Sequence, residues 1–193
     1  MEETNIWIHL VNRLNIGKTS RDKAILAFGL SKLVYLTLNT IFVVIAGLLT
    51  NNISNCIGYF VSFVFLRKNA GGYHAHSKRA CLLITCILEA CAVAFICSIH
   101  FTLYSFVSEI VIALIIYMLA PIESVNKSLS LYEQTVYKKH TLYVIIICLF
   151  VSLIDFIMRT DFMMSGIYIA FIEVLLMMLP SKVSNPITGS GES

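Results

Sequence analysis

The sequence RKNAGGYHAHSKRAC, residues 67–81, is the one long polar interruption in the first half of a very apolar chain. It contains a Gly-Gly pair, two histidines, four basic residues and a cysteine at the start of the next apolar run. The chain has 193 residues and is 58% hydrophobic and 13% charged, whereas a soluble domain is about 25% charged. This composition predicts an integral membrane protein in which residues 67–81 form a polar loop at the membrane surface.

Apolar runs on either side of this loop predict an all-α fold with six transmembrane helices. The predicted spans are residues 33–50, 53–66, 81–100, 106–120, 141–158 and 162–179. The second run is short for a hydrocarbon core of about 30 Å, so it uses flanking residues, thins the bilayer or is re-entrant. A second polar loop is predicted at residues 121–140.

The N-terminal segment, residues 5–16, has Ile6, Trp7, Leu10 and Val11 at helical spacing. This pattern predicts an interfacial amphipathic helix, or a short helix packed against the bundle. Acidic residues come first and no uninterrupted apolar segment follows, so no cleavable signal peptide is predicted. Residues 1–180 are predicted to form a single membrane-embedded domain, and residues 181–193 a disordered tail.

The basic residues predict the orientation of the chain. Of its 14 Lys and Arg, 13 fall in the terminal segments and the two polar loops, and only Arg159 falls on the other side. The positive-inside rule makes the N- and C-termini cytoplasmic. The same distribution supports residues 53–66 as a true span, because a re-entrant segment would place four basic residues outside. The net charge of +3 is too small to indicate a nucleic-acid partner.

Three features of the first loop point to chemistry. Gly71 and Gly72 permit backbone turns that are closed to other residues and allow a bound chain to approach closely. His74 suits a general base near neutral pH. Cys81 begins a long helix, where the helix dipole and the two preceding basic residues favour the thiolate. A thiol in this setting is a candidate nucleophile.

The spacing of His74 and Cys81 limits how they can act together. Seven residues apart on one straight helix, they would be separated by about 10.5 Å along its axis, which is beyond hydrogen-bond reach. A dyad therefore requires the helix to begin near Cys81 with His74 folded back from the loop, or a pairing between two subunits. A metal site of His74, His76 and Cys81 is an alternative with only three ligands.

The string GGYHA at residues 71–75, with Arg67 before it and Cys81 after it, resembles the signature of the accessory gene regulator B family. These proteins are bacterial membrane-embedded cysteine endopeptidases that process quorum-sensing pro-peptides. The family pattern is an Arg, a Gly-Gly pair, His-Ala, and a Cys seven residues after that His. The second loop also fits the family, with Ala120-Pro121, Asn126-Lys127, Glu133 and Lys138-Lys139.

The resemblance implies that Cys81 is the nucleophile, that His74 is the base and that His76 is a bystander. It implies a precursor peptide as substrate, with an amphipathic helix on the inner leaflet of the bacterial cell membrane. Cys81 would release an acidic C-terminal tail and hold the remaining peptide as a thioester. A Cys or Ser of the peptide would then close a thiolactone or lactone ring. A homodimer and a role in virulence are further implications.

Six further residues are candidates for binding the peptide: Arg67, Gly71, Gly72, Lys127, Lys138 and Lys139. The three lysines suit the acidic tail, although positive-inside topology alone accounts for each of them singly. Two kinds of oxyanion donor remain open, namely backbone N–H groups near Cys81 and the Arg67 side chain. No cofactor is expected.

Four acidic residues lie within apolar runs, where ionisable groups are costly and often functional: Glu89, Glu109, Asp155 and Glu173. Glu109 and Asp155 are near predicted outer ends of spans and are expected to be hydrated. Glu89 is some 12 Å deeper than Cys81, and Glu173 suits pairing with another span or an export route. These two residues leave a non-enzymatic membrane transporter as the alternative function. Tyr59 is predicted to be an interfacial anchor.

Overall fold

The computed structural model describes residues 7, 9, 11–13, 19–71, 78–122 and 130–184, without the side chains of residues 78–82 and 180–184. The described part contains six helices longer than ten residues and no strand. They are α1 (Ser20–Leu49), α2 (Ile53–Ala70), α3 (Lys78–Ser98), α4 (Leu103–Leu119), α5 (Leu131–Met158) and α6 (Met164–Ser184). The all-helical prediction is confirmed for this part of the chain.

Among the described helices, two are long and apolar enough to cross a membrane, namely Ser20–Leu49 and Leu131–Met158. Three shorter apolar helices lie at Leu83–Ser98, Leu103–Leu119 and Met164–Leu179. At 18 residues, α2 is about 27 Å long, which is close to the thickness of the hydrocarbon core. The number of six spans remains a prediction.

Helix caps explain why α1 and α5 begin before the apolar runs that predicted them. Thr19 N–H donates to Asp22 Oδ2 at 3.0 Å and Asp22 N–H donates to Thr19 Oγ1 at 3.1 Å, so α1 begins at Ser20. Ser130 and Glu133 form the same reciprocal pair at the start of α5. Each cap satisfies backbone N–H groups that a first turn leaves open, so the polar turns that follow are helical.

The structure corrects the predicted C-terminal end of the last helix. Pro180 was expected to end the last helix and residues 181–193 to be disordered, but α6 continues to Ser184. A proline removes one backbone hydrogen bond, and one lost bond does not end this helix. Residues 185–193 lie outside the described part of the chain.

The chain divides into two compact units, Met1–Phe42 and Val43–Ser193. In the first unit, Val11 and Ala27 are buried and Ser31 donates from its hydroxyl to the Phe28 carbonyl at 2.8 Å. Residues 7, 9 and 11–13 are helical, in agreement with part of the predicted N-terminal helix. The rest of that helix lies outside the described residues, and its interfacial position remains a prediction.

In the second unit, α2 packs directly against α6 through a glycine. A Cβ atom on Gly166 would lie 1.9 Å from the Asn55 carbonyl oxygen and 2.8 Å from the Tyr59 nitrogen. Gly166 N–H donates to Asn55 Oδ1 at 3.2 Å, and Asn55 Nδ2 donates to the Asp161 carbonyl at 2.9 Å. The two backbones therefore touch at this point, which only a residue without a side chain permits.

Asp155 of α5 connects to the start of α6. Its Oδ2 accepts from Met163 N–H at 2.7 Å and from Met164 N–H at 3.1 Å, and its Oδ1 accepts from the Thr160 hydroxyl at 3.1 Å. A carboxylate suits the positive end of a helix. The expected hydration is wrong for Asp155, which is buried, and for Glu109, which is also buried and accepts from the Ser152 hydroxyl at 2.9 Å.

Candidate active site

The first polar loop begins at the C-terminal end of α2, where a side chain bonds to the backbone of the turn. Arg67, in the last turn of α2, donates from Nη1 to the carbonyl oxygen of Gly71. Gly71 follows the helix with φ of 79°, in the region of backbone conformation that favours glycine. The predicted turn at Gly71 is therefore confirmed, and the Arg67 side chain is engaged with the backbone of this turn.

The start of the second loop is bonded to the start of the first. Ile122 N–H donates to the Ala70 carbonyl at 2.9 Å, and Gly71 and Ile122 form an isolated parallel β-bridge. A Cβ atom on Gly71 would lie 2.3 Å from the Ile122 carbonyl oxygen. We call Ala70, Gly71 and Ile122 the loop joint. Gly71 is thus required by a neighbouring segment as well as by its own turn.

Three of the predicted site residues, Gly72, His74 and Lys127, lie outside the described residues. Their predicted roles remain predictions.

Cys81 is the fourth residue of α3, which begins at Lys78. It therefore belongs to the first turn, whose backbone N–H groups have no partner within the helix and carry the positive end of the helix dipole. The helix start near Cys81 that the sequence required is confirmed. The Cys81 side chain and His74 lie outside the described residues, so the predicted dyad remains a prediction.

The two described lysine candidates both contact aromatic rings. Lys138 of α5 is half-buried, with Nζ 5.1 Å from the ring centre of Tyr117 in α4. Lys139 is exposed, with Nζ 5.8 Å from the ring centre of Tyr143. Both distances suit a cation–π interaction. Lys138 therefore helps to join α4 and α5, and binding of substrate by either lysine remains a prediction.

Tyr59, Glu89 and Glu173 are buried polar residues, and sequence reasoning did not predict the burial of Tyr59. Tyr59 was predicted to be an interfacial anchor, but it is fully buried and its hydroxyl donates to Glu173 Oε2 at 2.6 Å. Glu89 of α3 interacts electrostatically with Glu173. The spacing of Asn55, Tyr59 and Ser62 on one face of α2 is the sequence signal for burial of this tyrosine, because Asn55 and Ser62 are buried as well.

Ile122 is the other residue that sequence reasoning missed, and no local pattern marks it. A metal site has no support among the described residues, which contain no group of three or more His, Cys, Asp or Glu able to hold an ion. The alternative site of His74, His76 and Cys81 lies outside them.

The family model described as accessory gene regulator B matches residues 4–179, which is most of the chain. No curated protein and no solved structure matches it.

Proposed function

The chain belongs to the accessory gene regulator B family, whose members take part in processing a quorum-sensing autoinducing peptide at the membrane, and on this premise we propose that it is a cysteine endopeptidase and peptide cyclase. The substrate is the precursor of the autoinducing peptide. The nucleophile is Cys81 and the general base is His74. The enzyme is a multi-pass protein with six spans and cytoplasmic termini, and it acts as a homodimer.

The observation that carries this proposal is the loop joint. Ile122 N–H bonds to the Ala70 carbonyl at 2.9 Å, so the two polar loops that contain His74 and Lys127 leave the helices side by side. A site that cuts one peptide chain needs a nucleophile, a base and groups that hold the substrate within a few ångströms of one another. The joint supports this requirement, because it anchors both loops at one point.

The proposed reaction begins with attack of the Cys81 thiolate on a carbonyl carbon of the precursor. The peptide C–N bond breaks, His74 gives its proton to the departing amine, and the N-terminal part stays on Cys81 as a thioester. A Cys or Ser side chain of the bound peptide then attacks the thioester carbon. The ring closes as a thiolactone or lactone, and Cys81 leaves as a thiol. Exclusion of water favours ring closure over hydrolysis.

The positive charges at this end of the protein suit the leaving segment. We expect an acidic tail to lie against Lys127, Lys138 and Lys139, with Arg67 and the glycines holding the start of the loop. Exposed Lys139 keeps its charge in reach of a ligand, whereas Lys138 is half-buried against Tyr117. Of the two described lysines, Lys139 is therefore the better candidate for first contact with the tail.

The test is cleavage of precursor peptides by Cys81→Ser and His74→Ala in membranes, with Cys91→Ser as the matched control. Cys91 is exposed on the same helix and away from its first turn. We expect both site variants to insert normally and lose at least 100-fold in cleavage rate, since nucleophile and base act as one unit. Cys91→Ser should cleave at the normal rate. Cleavage that survives Cys81→Ser would contradict the proposal.

A further inference from the structure

The C-terminal end of α2 is closed by contacts from outside the helix backbone. The last turn of a helix leaves carbonyl groups without a partner in the helix. A glycine that follows commonly supplies the donors by adopting the left-handed conformation, with φ about 57° and ψ about 47°. Gly71 follows α2 with φ of 79° and ψ of −157°, which is a different conformation. The carbonyl groups at this helix end therefore need other donors.

Two donors from different parts of the chain bond to these carbonyl groups. The carbonyl of Ala70, the last residue of α2, accepts from Ile122 N–H at 2.9 Å. The carbonyl of Gly71 accepts from Nη1 of Arg67, which lies one turn earlier in the helix. A basic side chain near a helix C-terminus suits both the last carbonyl groups and the negative end of the helix dipole. The second loop and Arg67 thus close the end of α2 together.

The two bonds depend on one backbone conformation, because the two accepting carbonyl groups belong to neighbouring residues. Gly71 has φ and ψ angles that are almost confined to glycine, and it also forms the parallel bridge with Ile122. A glycine has no side chain to limit its backbone, so contacts made by its peptide groups must select this conformation. The bond from Arg67 is one such contact, and it comes from a side chain that a substitution can remove without altering Gly71.

We propose that Arg67 is a positioning residue, whose guanidinium fixes the backbone at Gly71 and thereby keeps the loop joint closed. In the sequence, His74 follows Gly71 by three residues and Lys127 follows Ile122 by five, so an open joint frees both loops at their first residues. Arg67 then acts on cleavage without touching the peptide, unlike a donor to the oxyanion or a partner of the acidic tail. The effect on cleavage rests on the proposed function, whereas closure of the joint does not.

Three variants of the full-length protein separate the bond from the charge. Arg67→Met removes the donor and keeps a long unbranched side chain in a half-buried position. Arg67→Lys keeps a positive charge and a donor, on a flexible side chain of similar reach. Lys68→Met is the matched control, because Lys68 is the neighbouring basic residue in the last turn of α2 and its side chain is exposed.

Hydrogen exchange at the Ile122 N–H group measures the joint itself, because exchange reports how often the bond to Ala70 opens. Mass spectrometry with residue-level fragmentation gives this rate, and the N–H group of Ile145, buried in α5, gives the reference for global unfolding. We expect Arg67→Met to raise exchange at Ile122 about tenfold over this reference, Arg67→Lys about threefold or less, and Lys68→Met not at all. An unchanged ratio in Arg67→Met, or an equal rise in Lys68→Met, would overturn the proposal.

Cleavage kinetics separate positioning from contact with the peptide. We expect Arg67→Met to lower kcat about tenfold and to leave KM within about twofold, for precursors with acidic and with neutralised tails alike. A KM that rises only for acidic tails would assign Arg67 to the tail, and a lower kcat with unchanged exchange at Ile122 would assign it to the oxyanion. Either result would overturn the proposal. If Cys81→Ser still cleaves the precursor, the proposed function fails, while exchange at Ile122 still tests closure of the joint.

Discussion

The two ends of α2 are fixed in different ways. Near its start, Asn55 exchanges side-chain hydrogen bonds with the backbone around α6, and Gly166 allows the two helix backbones to touch. At its end, about 24 Å away, the loop joint consists of one backbone hydrogen bond, one bridge and one glycine with positive φ.

The difference separates stability from function in this fold. The contact between α2 and α6 involves many buried atoms, and Asp155 reinforces it by capping α6. The loop joint buries Ala70 fully and leaves Gly71 and Ile122 half-buried, and a polar loop follows each of its two segments. We therefore expect damage at the first site to unfold the protein, and damage at the loop joint to impair cleavage in a protein that remains folded.

The largest effect is expected for Gly166→Ala. The new Cβ would lie 1.9 Å from the Asn55 carbonyl oxygen, and backbone atoms cannot give way as a flexible side chain can. We expect a loss of about 3 kcal/mol in the free energy of unfolding, measured by denaturant titration in detergent. Gly58→Ala, whose Cβ would meet Met163 at 2.9 Å, should cost less, and Gly29→Ala, with nothing within 4 Å, should not destabilise. Equal effects of the three would contradict this order.

Gly71→Ala tests the loop joint, which lies at the C-terminal end of α2. Alanine at φ of 79° is strained by about 1–2 kcal/mol, and its Cβ would lie 2.3 Å from the Ile122 carbonyl oxygen. We expect the joint to open, cleavage of the precursor to fall at least tenfold, and the melting temperature to fall less than in Gly166→Ala. The checks are a cleavage assay and a thermal melt of the same preparation. A normal cleavage rate in Gly71→Ala would remove the loop joint from the proposed function.

The smallest effect is expected for the lysines of α5. Lys138→Met removes a cation over Tyr117 and should cost about 0.5–1 kcal/mol of stability. Lys139→Met should leave stability unchanged and raise KM for precursors with an acidic tail, by less when the acidic residues of the tail are neutralised. A KM that does not depend on the charge of the tail would contradict binding of the tail by these lysines. Their positive charges would then serve only to orient the chain in the membrane.

The sequence predicted that the helices exist better than it predicted the residues at which they begin and end. The apolar runs identify the six helices, because a long apolar run without charge seldom forms any other structure. The early start of α5 at Leu131 was missed, because the polar first turn that follows the cap at Ser130 looks like loop. The continuation of α6 past Pro180 was also missed, because proline usually marks a helix end.

The candidate site was predictable only where it is local. Gly71 was found because tight turns favour glycine, and Arg67 was found because it fits the family pattern. Ile122 and Tyr59 were not found, because their roles depend on partners far along the chain, Ala70 and Glu173. Hydrophobic periodicity says which face is buried and does not say what that face meets.

The central claim is tested most directly by trapping the acyl-enzyme. A precursor peptide whose ring-closing Cys or Ser is replaced by Ala can form the thioester but cannot leave by cyclisation. After incubation with membranes, mass spectrometry should find the N-terminal part of the peptide on Cys81, in an adduct that hydroxylamine removes, and no adduct in His74→Ala. Cleavage of this peptide with no adduct on Cys81, or with an adduct on another residue, would contradict the account.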